Sequence, residues 1–146
     1  MTTRLYLIRH GDTPLSAEDK FSGSENVFLS AEGRIQVEHL AERLSKSDVK
    51  AAYSSSLDRA METARIIAKP HGLEPIPSDG LREIRHGHWE GLTRLEVEQR
   101  FSDEYATWES DPFTFAPEGG ESGISVLGQF LNDSVQLRIA FPFRFV

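Results

Sequence analysis

The sequence predicts an α/β protein with a mostly parallel sheet and helices on both of its faces. Short apolar runs that suit strands alternate with longer segments of helical periodicity, and this order is typical of parallel sheets. The first apolar run stops at a histidine and a glycine, as a buried strand does when it ends in a functional loop. The length of 146 residues, with 38% hydrophobic and 27% charged residues, predicts a single domain over residues 1–146.

Three short strands are expected. The first covers residues 4–9 and is followed by His10 and Gly11, the second covers residues 49–53, and the third covers residues 74–77. Prolines weaken the third prediction, because proline cannot donate to a strand ladder. Ligands of open α/β sheets bind at the carboxyl ends of the strands. His10 therefore stands where a functional residue is expected.

Three helices are expected between and after these strands. Ser30 is a good N-cap for the first, in which apolar residues recur at helical spacing as far as residue 44. The second covers residues 57–68 and is ended by Pro70 and Gly72. The third covers residues 93–101 and has a threonine as its cap.

Composition and charge exclude several classes of function. The net charge of −7 argues against a general nucleic-acid binder, which normally presents a basic face. The absence of cysteine excludes disulfides, thiolate metal sites and a cysteine nucleophile. The first apolar run is too short for a signal peptide, and no stretch approaches the ~20 apolar residues of a membrane span. We therefore expect a cytoplasmic protein with no nucleic-acid or membrane partner.

Four motifs, far apart in the sequence, contain the residues suited to catalysis. They cover residues 7–13 around Arg9-His10-Gly11, residues 54–64 with Arg59, residues 81–92 with Glu83, and residues 117–122. In this order and spacing the four motifs together resemble the histidine phosphatase superfamily, which includes phosphoglycerate mutases, fructose-bisphosphatase domains and ribazole-phosphate phosphatases. The resemblance covers about residues 4–126 and implies a phosphoglycerate mutase-like fold.

The resemblance implies phosphoryl transfer through a covalent phosphohistidine on His10. Arg9 and Arg59 would clamp the phosphate, since guanidinium groups match phosphate oxygens bidentately. A neutral imidazole can attack phosphorus, and Glu83 matches the general acid that protonates the leaving alcohol. Backbone N–H groups near Leu57, at a helix start, would add positive partial charge. No metal and no other cofactor is required, because the arginines supply the electrostatic stabilisation.

The segment of residues 12–28 is expected to form a long loop, and such loops are often functional. The resemblance assigns Ser16 and Gly23 of this loop to binding the substrate phosphate. Mutases of the family usually have asparagine where Ser16 stands, and they carry longer insertions than this sequence shows. We therefore expect a phosphomonoesterase that acts on a small phosphorylated metabolite. Mutase-type phosphoryl transfer is the alternative.

The tail, residues 127–146, departs from the family pattern. The family continues after the fourth motif with a helix and a strand that ends in a second catalytic histidine, whereas no histidine follows His88 here. The alternation of Val135, Leu137, Ile139 and Phe141 allows a strand in the tail. We expect a domain without its C-terminal strand and helix, through truncation or a frameshift. An inactive phosphate-binding fragment is therefore a second hypothesis.

His86 and His88 flank Gly87 and raise a third hypothesis, a metal-dependent hydrolase. Metal sites usually need three or four ligands at suitable spacing, and no further histidine or cysteine lies near the pair. Exposed loop histidines are the preferred interpretation, so no metal site is predicted. The family usually has an aromatic residue at the position of His86, which predicts a more polar cleft wall. The sequence leaves the oligomeric state open.

Overall fold

The computed structural model describes residues 4–140. In chain order, the elements within this range are α1 (Pro14–Ala17), α2 (Ala31–Leu44), β1 (Tyr53–Ser54), α3 (Asp58–Ala68), β2 (Ile76–Pro77), α4 (Arg94–Arg100), α5 (Ser102–Ser110) and α6 (Gly123–Ala140). Single 3₁₀ turns occupy Lys69–His71, Asp79–Leu81 and Gly87–Trp89. No helix of the described range is long and apolar enough to cross a membrane.

The strands β1 and β2 form a parallel pair, with Tyr53 opposite Ile76 and Ser54 opposite Pro77. Parallel neighbours need a crossover connection, and α3 supplies it here. This β–α–β unit agrees with the α/β class predicted from the sequence. The second predicted strand begins later than expected, at Tyr53, and the third is confirmed at its final two residues.

Residues 4–9 were expected to form a buried strand, and the structure shows that this prediction is wrong. In the part of the chain that is described, the sheet consists of β1 and β2 alone. Leu5 and Leu7 are 71% and 88% exposed. Apolar composition creates a tendency toward burial, but burial also needs a second surface to pack against. No described segment pairs with residues 4–9 as a strand.

The three predicted helices are confirmed to within about one residue at each end. Ser30 Oγ accepts the Gly33 N–H at 3.0 Å and caps α2. Thr93 and Glu96 exchange hydrogen bonds in a capping box at the start of α4. After the end of α3 the chain turns at Gly72, whose φ of 66° lies in the left-handed region that glycine adopts at low cost.

The structure adds three helices that the sequence had not predicted. A one-turn helix, α1, interrupts the long loop, and α5 follows α4 directly. The third, α6, covers residues 135, 137 and 139, so the predicted tail strand is wrong there, and Phe141 lies outside the described residues. The spacing of Ile124, Leu127 and Leu131 fits a helix, and no proline interrupts the segment before Pro142.

A buried apolar cluster and an aromatic cluster form the packed parts of the described chain. One joins α2 and α3 and consists of Leu29, Val37, Ala41 and Ile67. The other surrounds Trp89, which is fully buried and contacts the rings of Phe21, Trp108 and Phe115 at centroid distances of 5.5, 5.9 and 5.7 Å. The turn behind His10 rests on the first cluster, and the wall of the cleft described below rests on the second.

Candidate functional site

His10 and Arg59 meet at the centre of the site although 49 residues separate them. Arg59 Nε–H donates to His10 Nε2 over 3.2 Å, and His10 Nδ1 lies 2.7 Å from the carbonyl oxygen of Gly11. A carbonyl oxygen only accepts, so the ring proton of a neutral His10 belongs on Nδ1. The lone pair of the imidazole is then on Nε2, facing the guanidinium.

The surroundings of His10 favour its neutral form. Burial lowers the pKa of His10, and the positive charges of Arg59 and Arg9 act in the same direction, while the hydrogen bond to the Gly11 carbonyl and the charge of Glu83 oppose them. A protonated imidazole has no lone pair for a nucleophilic attack. The lowered pKa therefore keeps the imidazole of His10 neutral, with a lone pair, near neutral pH.

Arg59, in the first turn of α3, is only 1% exposed. Its Nη1–H donates to the carbonyl of Glu25 at 2.8 Å and its Nη2–H to the carbonyl of Gly23 at 2.7 Å. Burial lowers the pKa of Arg59, and the carboxylates of Glu83 and Glu90 oppose this. A guanidinium has five N–H groups, so one on each Nη remains for the oxygens of a ligand.

Thr63 links the turn that follows His10 to the helix that carries Arg59. The sequence analysis had not assigned it a role. Its Oγ1 accepts the Gly11 N–H at 3.2 Å and donates to the Arg59 carbonyl at 2.8 Å. Thr63 is buried one helical turn after Arg59, so it fixes the turn at His10 against α3. In the sequence, the position of Thr63 four residues after Arg59 is the feature that could have indicated this contact.

The start of α3 is tied to the long loop. The Asp58 N–H donates to Asn26 Oδ1 at 2.9 Å, and the Leu57 N–H donates to Ser55 Oγ at 3.3 Å. These two amides, expected near a bound phosphate, are therefore partnered within the protein. The positive end of the helix dipole still lies at Asp58, next to the side chain of Arg59.

A cleft of about 250 Å³ brings together three of the predicted site residues, Arg9, Gly23 and Glu83. Arg9 and Glu83 are exposed, and both are close enough for their charges to influence the pKa of His10. Gly23 is buried and has a φ of 33°. The other lining residues are Asp19, Lys20, Phe21, Ser22, His86, Arg94 and Trp108.

Ser16 is engaged in a local structure. Its Oγ accepts the Thr13 N–H at 2.8 Å and donates to the Thr13 carbonyl at 3.0 Å, which completes the capping box of α1. The cleft that holds Arg9 and Glu83 is not lined by Ser16 in the described chain. A role of Ser16 in phosphate binding therefore stays a prediction.

The lining of the cleft also includes cationic and aromatic side chains that the sequence analysis had not assigned to the site. The guanidinium carbon of Arg94 lies 5.8 Å from the centre of the Trp108 ring. Lys20 pairs with Glu18 at 2.5 Å and forms a β-bridge with Thr93, which brings the long loop to the start of α4. The sequence carries no local signal for this contact, because the two segments are distant along the chain.

His86 and His88 face different partners. The ring of His86 packs on Phe21 at a centroid distance of 4.8 Å. His88 places Nδ1 3.1 Å from the Glu118 carbonyl and Nε2 3.1 Å from the carboxylate of Glu104. Among the residues that the structure describes, no group of three or more His, Cys, Asp or Glu is arranged to hold a metal ion. The metal-hydrolase hypothesis therefore has no support in this region.

Comparisons with known proteins identify the family of the chain. The chain is 34% identical over 123 residues to phosphoserine phosphatase 1 of Hydrogenobacter thermophilus, covering 84% of this chain and 58% of the relative. It is 36% identical over 129 residues to glucosyl-3-phosphoglycerate phosphatase of Mycolicibacterium vanbaalenii, covering 88% and 56%. A solved mycobacterial glucosyl-3-phosphoglycerate phosphatase with VO3 superposes with a TM-score of 0.84 at 32% identity, covering 91% and 63%.

The chain thus spans somewhat more than half the length of these two curated relatives. The family model described as "Histidine phosphatase superfamily (branch 1)" matches residues 5–131, which is most of the sequence. All four motifs lie within the matched range. The chain belongs to branch 1 of the histidine phosphatase superfamily.

Proposed function

We propose that this chain hydrolyses phosphomonoesters through a phosphohistidine on His10. The observation that carries the proposal is the 3.2 Å contact between Arg59 Nε–H and His10 Nε2. It places a buried positive charge beside the lone pair of a neutral imidazole. Arg9, Gly23 and Glu83 line the cleft, whereas His10 and Arg59 do not. A phosphate that binds beside Arg59 supplies oxygens that replace the imidazole as acceptors of the guanidinium and leave Nε2 free to attack.

The first chemical step forms a bond between His10 Nε2 and phosphorus and breaks the bond to the ester oxygen. Arg9 and Arg59 neutralise the charge on the equatorial oxygens, which is the main requirement of phosphoryl transfer. Glu83, exposed at the cleft, gives a proton to the departing alcohol. In the second step water attacks the phosphohistidine, Glu83 takes a proton from that water, and inorganic phosphate leaves.

The cleft also suggests the class of substrate. Its lining includes Lys20, Arg94 and Trp108 in addition to Arg9 and Glu83. We infer that the alcohol part of the ester is small and carries an anionic group such as a carboxylate, which Arg94 pairs with bidentately. Two relatives are phosphatases named for phosphoserine and glucosyl-3-phosphoglycerate, and both of these esters carry a carboxylate.

The test is hydrolysis of p-nitrophenyl phosphate by the 146-residue chain beside His10→Ala and the control His39→Ala, whose side chain is exposed on α2. We expect turnover and an acid-labile phosphoenzyme in the wild type and the control, and neither in His10→Ala. Equal turnover by His10→Ala contradicts the proposal. Because no histidine follows His88 in the sequence, the assay also tests whether the arginines suffice.

Two other outcomes identify the alternatives. Folded protein that binds inorganic phosphate without turnover indicates the inactive phosphate-binding hypothesis. Transfer of the phosphoryl group to a second alcohol in preference to water indicates the mutase alternative, which is measured as ester product against released phosphate.

A further inference from the structure

Glu90 has an unusual set of partners that the mechanism above does not use. Its Oε1 accepts the backbone N–H of Ser24 and the backbone N–H of His86, each at 3.0 Å. The Ser24 hydroxyl lies 3.2 Å from Oε1 and 3.1 Å from Oε2. Glu90 is half-buried, belongs to the third motif and contacts the long loop at Ser24. A carboxylate in this position holds two separate segments of backbone together.

The long loop packs directly on this carboxylate at Gly23. A Cβ at this position would lie 2.2 Å from Glu90 Oε1, so no larger residue fits without a shift. Backbone hydrogen bonds add to the attachment, since Phe21 N–H donates to the Leu92 carbonyl at 2.9 Å and Gly91 N–H to the Phe21 carbonyl at 2.7 Å. Residues 21–25 are thus fixed on the segment that contains Glu90.

The other side of the same loop holds Arg59. The carbonyls of Gly23 and Glu25, which flank Ser24, accept the two Nη donors of Arg59 at 2.7 and 2.8 Å. The Nε–H of the same guanidinium reaches His10. A displacement of Ser24 therefore moves both carbonyls, and with them the guanidinium that faces the nucleophile.

We propose that Glu90 is a positioning residue for phosphate binding: its hydrogen bonds to Ser24 and His86 hold the loop carbonyls that aim Arg59 at His10. The inference rests on the proposed function, because that function assigns Arg59 to binding the phosphate. Glu90 does not line the cleft among the described residues, so it acts through the loop and not on the substrate. Glu83, which lines the cleft, remains the proposed general acid.

Two conservative variants separate the hydrogen bonds of Glu90 from its negative charge. In Glu90→Gln, the amide oxygen still accepts the two backbone N–H groups, and the amide nitrogen can donate to the Ser24 hydroxyl. In Glu90→Asp, the charge stays, but the carboxylate is one methylene shorter and cannot hold both segments in place. If Glu90 acts through its hydrogen bonds, the glutamine variant keeps the function and the aspartate variant loses it.

The matched control is Glu62→Ala. Glu62 is also a partly buried carboxylate that joins two segments, because it accepts the Leu29 N–H at 3.0 Å and pairs with Arg34 at 2.5 Å. Its bonds hold residue 29 and α2, and they do not reach residues 21–25. Its loss should lower stability without redirecting Arg59.

The measurement is the affinity of the full chain for inorganic phosphate by calorimetry, with the melting temperature and the KM for p-nitrophenyl phosphate recorded beside it. We expect Glu90→Ala and Glu90→Asp to bind phosphate at least about tenfold more weakly, the scale of a catalytic group misplaced by part of an ångström. Glu90→Gln should stay within about threefold of the wild type, which corresponds to less than about 0.7 kcal/mol. Glu62→Ala should melt earlier and keep its affinity.

Several results overturn the inference. Wild-type affinity in folded Glu90→Asp shows that the position of the carboxylate does not matter. A loss in Glu90→Gln with full affinity in Glu90→Asp shows that the charge acts and the hydrogen bonds do not. A parallel loss in Glu62→Ala shows a general effect of stability. A wild type that binds phosphate without hydrolysing the ester contradicts the proposed hydrolysis and leaves this comparison of affinities intact.

Discussion

Replacing Arg59 by lysine keeps a positive charge at the site and removes the geometry of the guanidinium. Arg59 directs three donors at three separate acceptors, which are His10 Nε2 and the carbonyls of Gly23 and Glu25. The lysine ammonium presents its donors from a single nitrogen, so it cannot meet all three acceptors at once. We expect Arg59→Lys to be both less stable and weaker in phosphate binding than the wild type.

The size of the stability loss follows from the burial of the acceptors. Gly23 is buried, so its carbonyl loses a charge-assisted hydrogen bond of 2.7 Å without access to water. Such a loss costs about 1.5–3 kcal/mol. Glu25 is exposed, and water can replace the donor there at little cost. For a domain of this length 1 kcal/mol corresponds to about 2–4 °C, which gives a melting temperature lower by about 3–12 °C.

The assay compares thermal melting and phosphate affinity of Arg59→Lys with those of Arg65→Lys, an exposed arginine near the end of the same helix. The control should melt within about 2 °C of the wild type, since exposed substitutions usually change stability by less than about 0.5 kcal/mol. An Arg59→Lys variant with the melting temperature and phosphate affinity of the wild type refutes the reasoning, because the directed guanidinium would then contribute nothing beyond its charge.

Three further outcomes are expected. Burial lowers the pKa of His10 below the unfolded value of about 6.5, so the unfolded chain takes up the proton first. Stability should therefore decline as the pH falls from about 6.5 toward the lowered pKa, whereas turnover should decline only near and below the lowered pKa, where His10 of the folded chain becomes protonated. His10→Asn should flatten the stability profile, and an unchanged profile contradicts this. A Cβ at Gly11 would lie 2.5 Å from the Gly33 carbonyl oxygen, so Gly11→Ala should lower the free energy of unfolding by at least about 1–3 kcal/mol, measured by denaturant unfolding. The control Gly128→Ala, whose Cβ would lie in open space, should leave it unchanged. Asp133 accepts the Gly80 N–H at 3.0 Å and so attaches α6 to the turn at residues 79–81. Asp133→Ala should therefore increase the rate at which α6 is cleaved by a protease, and an unchanged rate contradicts the importance of this contact.

The helix caps show how well local interactions could be predicted from the sequence. Ser30 and Thr93 cap their helices through hydrogen bonds that span three residues. Such bonds depend on neighbours along the chain, and the pattern of neighbouring residues contains them. The tail is the opposite case, because the alternation after residue 134 favours a strand, whereas the spacing of Ile124, Leu127 and Leu131 just before it favours a helix. In the structure the helix continues through both parts as α6.

The sequence by itself provided the site residues that we propose and the segments that carry them. Arg9, His10, Arg59 and Glu83 could be proposed because phosphoryl transfer needs a nucleophile, cations and an acid, and because the four motifs in combination are specific to the family. Three of the helices were also determined, since their caps and apolar stripes are local properties.

Only the tertiary structure decided how these residues meet. The contact of Arg59 with His10, the loop carbonyls that hold Arg59, and the link from Glu90 to Ser24 join segments between 34 and 66 residues apart. The exposure of residues 4–9 was decided in the same way, because a strand exists only with a partner. Contacts over such distances depend on how the whole chain packs, and no short pattern in the sequence specifies that packing.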